Sequence, residues 1–221
     1  MNSIHDLGGM HGMGPLPFEE NEPKFHAEWE RTVFGVNMLL LLSGAYTADE
    51  HRHSMEKIPA LHWLESPYYL HWIDGFETIL QDKGIVTAEE MDSGKSSMSG
   101  RAGPLANYID PDAIRNIALH NHPVTGDIEK VPSFKEGDVV RAKNINPRTH
   151  TRLPRYTRGK KGIVVKHVGA CLYADARAHG GSEQFQHTYS VRFEGKELWG
   201  PDAGPRDAVY IDLYDSYLED A

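Results

Sequence analysis

From Phe25 onward the apolar positions recur at helical spacing. Phe25, Trp29, Val33, Val36 and Leu40 share one face, with Glu28, Glu30 and Arg31 turned away from it, which predicts an amphipathic helix ended by Gly44. Thr47-Ala-Asp-Glu50 is a capping box that opens a second helix, running to about Lys57 before Pro59 closes it. Ser66-Pro67 then sets an N-cap with proline at the first helical position. Tyr69, Trp72, Ile73, Phe76 and Leu80 mark the third helix, stopped by Gly84, and Thr87-Ala-Glu-Glu90 caps a short fourth. From Phe134 the period changes to two. Residues 137–143, 162–168, 188–193 and 209–214 are β-branched or aromatic runs bounded by turn residues, as expected of a small, strongly bent antiparallel barrel. The chain therefore reads as α+β: an extended arm over 1–24, a helical domain over 25–91, a linker or variable region over 92–131 with a short helix over 110–119, and an SH3-like β-barrel domain over 132–221.

Composition narrows this picture. With 221 residues, 39% hydrophobic and 25% charged, the chain can bury a real core. The longest apolar run, Val33 to Leu42, is interrupted by Gly35 and Asn37 and is far shorter than the roughly 20 residues that a bilayer requires. It is expected as a buried helix. Residues 1–14 have neither the basic start nor the apolar centre of a signal peptide. A single cysteine, Cys171, excludes a disulfide framework or a thiolate-rich metal cluster built from this chain alone. The expected setting is cytoplasmic, without a membrane.

Charge singles out one stretch. Residues 147–162 carry Arg148, Arg152, Arg155, Arg158, Lys160 and Lys161 and no carboxylate, although the formal net charge of the chain is -9. Proline, glycine and tyrosine punctuate the run and hold its backbone in shape, so some of these arginines are placed to hold oxyanions by paired hydrogen bonds. The 13 histidines invite a metal reading, and His51-Arg52-His53 and His120-Asn121-His122 both have H-x-H spacing. On a helix, residues two apart diverge, and no Cys, Asp or Glu nearby completes a ligand set. Surface histidines and no metal held by this chain are the expectation. The N-terminal glycines follow no strand and have no dinucleotide spacing, so they read as a structural arm. Tyr69 and Trp72 fit core packing. Tyr68 and His71 fit that stripe less well, and Tyr68 can offer its hydroxyl to a cavity. Arg52 is either a solvated helix residue or a second placed arginine.

Taken in order, several segments resemble the β subunit of nitrile hydratase: residues 1–9 with Gly12, Gly14 and Pro15; Phe25-His-Ala-Glu-Trp-Glu30; Asp49-Glu-His-Arg52; Ser66-Pro-Tyr-Tyr69 with His71-Trp72; Phe134-Lys-Glu-Gly-Asp138; His150-Thr-Arg-Leu-Pro-Arg-Tyr156 with Arg158-Gly159; Glu197-Leu-Trp-Gly200; and Tyr217-Leu-Glu219. The resemblance is weakest over 92–131. It implies hydration of a nitrile to an amide, a hydro-lyase reaction, at a cobalt(III) or iron(III) ion held by cysteines of an α subunit, two of them oxidised. By motif position Arg52 and Arg152 would hold the oxidised cysteines, Tyr68 would join the active-site hydrogen-bond network, and Ala48, His51 and Trp72 would line the substrate pocket. His51 stands where the family often has an apolar aromatic. The implied assembly is an obligate αβ heterodimer, paired into a dimer of heterodimers, and this chain alone would be inactive. In thiocyanate hydrolase the two halves resemble separate subunits; here they are joined. Two rival readings are a non-catalytic scaffold subunit and an SH3-like nucleic-acid binding module. The negative net charge and large helical half weigh against nucleic acid.

Overall fold

A computed structural model describes residues 1–97, 110–112, 115, 125–181 and 184–221. The expected short helix over 110–119 and the His120/His122 pair lie almost wholly outside the described residues. The chain forms two compact units, one of Ser3–His5 with Met10–Asn121, the other of Met1–Asn2, Asp6–Gly9 and His122–Ala221.

The first unit contains α1 (Glu28–Leu42), α2 (Ala48–Met55), α3 (Ala60–Glu65), α4 (Tyr68–Asp82) and α5 (Ala88–Ser93). Both capping boxes read from sequence are formed: Thr47 Oγ1 accepts from Glu50 N at 3.2 Å and Thr87 Oγ1 from Glu90 N at 3.2 Å, with each glutamate reaching back to the cap nitrogen. Val33, Leu40, Ala45, Tyr46, Phe76 and Ile79 make the core. α1 is less buried than its run of apolar residues implies. Trp29, Phe34, Val36 and Leu39 remain exposed, because only the narrow stripe of Glu30, Val33, Asn37 and Leu40 is buried. Asn37 is tolerated there because its Oδ1 accepts the Tyr46 hydroxyl at 2.9 Å.

The second unit carries β1 (Val139–Ala142), β2 (Lys161–Leu172), α6 (Ala174–Arg177), β3 (Phe185–Glu194), α7 (Gly195–Trp199), β4 (Ala208–Tyr214) and β5 (Leu218–Asp220). The five strands are antiparallel in the order β4-β3-β2-β1-β5. Among the described residues no ladder joins β4 to β5, so the sheet is open where a closed barrel was expected. The three residues of β5 pair with β1 and leave β4 as the far edge. Val140, Leu153, Val164, Tyr189, Val191, Phe193 and Leu213 fill the core, and all are at most 1% exposed. Gly162 is required by close approach: a Cβ there would lie 2.6 Å from Val191 Cγ1.

The N-terminal glycines have a packing role in this unit. A Cβ on Gly8 would fall 2.5 Å from Tyr156 Cε1, and one on Gly9, whose φ is +75°, would fall 2.7 Å from Trp199 Cζ3. Tyr156 and Trp199 themselves stack at 5.3 Å.

Candidate functional site

Within the helical unit, α2 and α4 bring together five of the residues singled out by sequence. Ala48 is the first residue of α2, and Arg52 follows one turn later. The Arg52 side chain is half exposed and donates to Asp49 Oδ1 at 3.0 Å, leaving part of its fork open. On α4, Tyr68 is 64% exposed, with its ring edge-on to Tyr69 at 5.2 Å and to Trp72 at 5.8 Å. Its hydroxyl is carried on a fixed aromatic wall.

His51 is placed differently from a solvated histidine. It is 5% exposed, stacked on Phe76 at 5.0 Å and Tyr46 at 5.3 Å, and edge-on to Trp72 at 5.8 Å. Its Nε2 lies 3.3 Å from the Trp72 carbonyl oxygen. Burial pushes its pKa down to about 4, opposed by the Trp72 carbonyl and helped by the charge of Arg52. An unfolded histidine titrates near 6.5, so the unfolded chain binds the extra proton first as pH falls. Stability from this group is intact above that value and is lost between about 6.5 and 4. The expected loss is about 2–3 kcal/mol near pH 4.5. His51→Phe, which keeps the stack, should flatten that acid limb in urea melts of the chain; an equal acid loss in both proteins would count against the assignment.

The histidine expectation needs correction more broadly. His51, His71, His150 and His187 are all buried. His71 stacks on Trp63 at 4.1 Å and its Nε2 is 2.8 Å from the Trp63 carbonyl. Local spacing could not show this, because each partner lies on another turn or element.

In the sheet unit, the basic stretch between β1 and β2 is a loop held from several sides, and its arginines have separate tasks. Arg158 is 9% exposed: its Nε and Nη2 donate to Leu153 O at 3.3 and 2.9 Å, and Nη1 donates to Asn146 Oδ1 at 2.9 Å and to Asn2 Oδ1. Arg155 is engaged with Asp6 through its backbone N–H at 2.9 Å and through Nη2 to the Asp6 carbonyl at 2.7 Å. Arg152 is the contrast. Its guanidinium is exposed and has no hydrogen-bond or ion-pair partner among the described residues, while its backbone N–H donates to the Tyr217 hydroxyl at 3.0 Å. Tyr217 is 1% exposed; its hydroxyl also accepts from Thr151 Oγ1 at 3.1 Å and donates to Asp175 Oδ1. Burial, reinforced by Asp175, pushes the Tyr217 phenol far above its usual pKa, so it stays a donor. Sequence reading had no signal for Tyr217 and Asp175 as supports of this loop, since they lie 42 residues apart and far from Arg152.

Two family descriptions match the chain: "Nitrile hydratase beta subunit, N-terminal" over residues 1–121 and "Nitrile hydratase beta subunit, C-terminal" over 123–220. The chain belongs to the nitrile hydratase β-subunit family. It is 42% identical to nitrile hydratase subunit beta of Pseudomonas putida, over all of both chains. It is 38% identical to the cobalt-containing nitrile hydratase subunit beta of Pseudonocardia thermophila, over 99% of this chain and 96% of that one. A partial likeness, 34% over 40% of this chain and 71% of the relative, is to thiocyanate hydrolase subunit alpha of Thiobacillus thioparus. Nitrile hydratases are heteromeric lyases, and a β subunit implies an α partner. Cobalt-containing relatives point to a metal-dependent enzyme. The only cysteine here is Cys171, half-buried on β2, so this nitrile hydratase chain does not itself offer a thiolate cluster. What it does offer is cationic: among the described residues, Arg52 is half-open on α2, and Arg148 and Arg152 are exposed on the loop before β2. Among the described residues no helix is long and apolar enough to cross a membrane.

Proposed function

We propose that this chain is the β subunit of a nitrile hydratase that converts a nitrile to its amide, and that its direct part in the site is played by Arg52, Arg152 and Tyr68. The observation that carries this reading is the contrast on one loop: Arg158 is buried with its guanidinium held by Leu153, Asn146 and Asn2, and Arg155 is held by Asp6, while Arg152 presents an unpartnered fork from a backbone fixed by Tyr217. Buried oxidised cysteine oxygens of an α partner are anionic acceptors that are costly to leave unpaired, and a guanidinium fork satisfies them with directed N–H groups. Arg52 and Arg152 supply such forks. A trivalent cobalt or iron ion in the α subunit supplies Lewis acidity toward the nitrile or water.

The remaining assignments concern this chain's own groups. Tyr68 offers an exposed phenol on a rigid aromatic wall, suited to orienting a reacting water or the developing amide by a hydrogen bond. Ala48 and Trp72 line the substrate pocket. His51 contributes from behind, through its contact with the Trp72 ring and carbonyl. Twelve-residue β2, with register shifts between Val164 and Lys166 and between His167 and Gly169, is the long bent strand of an open, SH3-like antiparallel sheet. The assembly is a cytoplasmic αβ heterodimer that pairs into a dimer of heterodimers.

The nucleic-acid reading is weakened by the same loop. Two of its four arginines are turned inward onto Asp6, Asn2, Asn146 and Leu153, so the run is not a free basic surface. The test of the main reading is co-purification with an α partner. The heteromer should carry stoichiometric metal and hydrate nitriles, whereas this chain alone should hold no stoichiometric cobalt or iron and have no activity. Stoichiometric cobalt or iron in the isolated chain, by elemental analysis, would refute the division of labour.

A further inference from the structure

His167 on β2 and His187 on β3 take no part in the reading above, yet they are the most organised pair of titratable side chains in the sheet unit. His187 is 7% exposed, and its Nε2 lies 2.6 Å from the backbone carbonyl of Lys130. A carbonyl only accepts, so Nε2 carries the proton and Nδ1 of the neutral ring is left with its lone pair. That Nδ1 faces His167 Nε2 at 3.1 Å, with ring centroids 5.0 Å apart and planes 60° apart. The arrangement depends on the β-bulge. The register slips between His167 and Gly169, and Gly169 takes φ +123°, so His167 comes to lie diagonally beside His187 and against the Tyr189 ring at 5.4 Å. The two histidines are twenty residues apart in sequence, which hides them from any spacing motif.

We propose that His167 and His187 form a two-histidine binding site for a first-row divalent cation of borderline softness: Zn²⁺, Ni²⁺ or Cu²⁺. Four observations converge on a cation of this class. A metal ion roughly 2.0–2.1 Å from each of two nitrogens 3.1 Å apart would subtend an angle of about 100°, between the square-planar and tetrahedral values. The His187 Nε2–H to Lys130 carbonyl bond is the outer contact that fixes a ligand histidine in the metal-binding tautomer. Both rings line a groove of about 540 Å³ formed by residues 125–128 and 167–170, roomy enough for a partly hydrated ion whose remaining ligands are water. Lys130, whose carbonyl holds His187, has its own charge compensated, because its Nζ donates to Asp215 Oδ2 at 2.6 Å. On binding, His167 moves its proton from Nε2 to Nδ1, so the present N–H···N bond is exchanged for two metal–nitrogen bonds with no net proton release. The ion then bridges β2 to β3 beside the bulge, while the His187 bond to Lys130 O keeps the segment around Lys130 attached to the same ring.

The test is titration of the full-length chain, free of any histidine tag, with zinc chloride by calorimetry and with copper sulfate by electron paramagnetic resonance. One site of micromolar affinity is expected, with a two-nitrogen copper signature. His167→Gln and His187→Gln should each weaken that site at least about tenfold, since a single imidazole is left. His26→Gln, which removes a surface histidine beside Glu19, should leave it unchanged. Loss of the Lys130 contact can unfold His187→Gln, but His167→Gln leaves that contact in place and decides the matter alone once its circular dichroism is native. Unchanged zinc and copper binding in folded His167→Gln, or no site tighter than about millimolar in the wild type, overturns the proposal.

Discussion

Arg152→Lys in the co-expressed heteromer should lower nitrile hydration by well over tenfold, with the chain itself folded and assembled. The backbone of residue 152 is fixed by the Tyr217 hydroxyl, so the substitution changes only what is presented from that point. Lysine keeps the positive charge and loses the planar fork. If the partner's oxidised cysteine is held by two directed N–H groups, a single mobile ammonium cannot replace them. Breaking one side of a buried charge-assisted pair costs about 2–5 kcal/mol when the other side stays charged. Lys161→Ala is the matched control: the side chain of Lys161 is exposed, and its structural bond, from its backbone nitrogen to Glu197 Oε1 at 2.9 Å, survives the change. Activity, metal content and sedimentation of both variants should be read together. Wild-type turnover in fully metal-loaded Arg152→Lys would remove Arg152 from the site.

The second large effect is expected one step behind. Tyr217→Phe preserves the volume of a nearly inaccessible ring and deletes an oxygen that accepts from Thr151 Oγ1 and Arg152 N and donates to Asp175. The Arg152 N–H loses this acceptor, and Asp175 keeps only the weaker approach of the Tyr173 hydroxyl at 3.3 Å. Each buried group left unsatisfied costs about 1–3 kcal/mol, so the urea midpoint of the chain should fall clearly. Turnover of the heteromer should fall as well, at temperatures where the variant is still fully folded, because the loop that aims Arg152 has lost its anchor. A normal melting midpoint with normal turnover would show that the hydroxyl network supports nothing. An altered midpoint with normal turnover would confine it to stability.

Local signals in the sequence were legible where the physics is local. Thr47 with Glu50, and Thr87 with Glu90, are capping boxes complete within four residues, and the structure forms both. The change from helical to twofold period also falls where helices give way to antiparallel strands. The helix over Ala60–Glu65 left no such trace: Pro59 caps it without a side-chain bond, and Leu61 and Leu64 are exposed, so neither cap nor stripe marks it. Alternation reports which face of a strand is buried and says nothing about which edges pair, so the open order of the sheet is not legible in it. The arginine run was recognisable as placed, but not which member was free. Asn2, Asp6 and Asn146, which hold Arg158 and Arg155, are identifiable only in three dimensions. Motif position marks His51 as a pocket residue, while its stacking on both Tyr46 and Phe76, which also face each other at 6.4 Å, is invisible to spacing.

The attachment of Asp6 to Arg155 spans 149 residues, and that of Asn2 to Arg158 spans 156. On the ribosome the first partner of each pair is made early and waits for the whole helical unit before the second one emerges. Bracing of the loop that carries Arg152 therefore includes a long-range return of the first segment, a closure that local helices do not face. Until that moment Arg155 lacks Asp6 and Arg158 lacks Asn2, and Gly8 and Gly9 have no ring to lie under. The order of synthesis thus delays maturation of this surface until well after the helices are made, and a partner that recognises the braced loop would discriminate chains that have completed this return from those that have not.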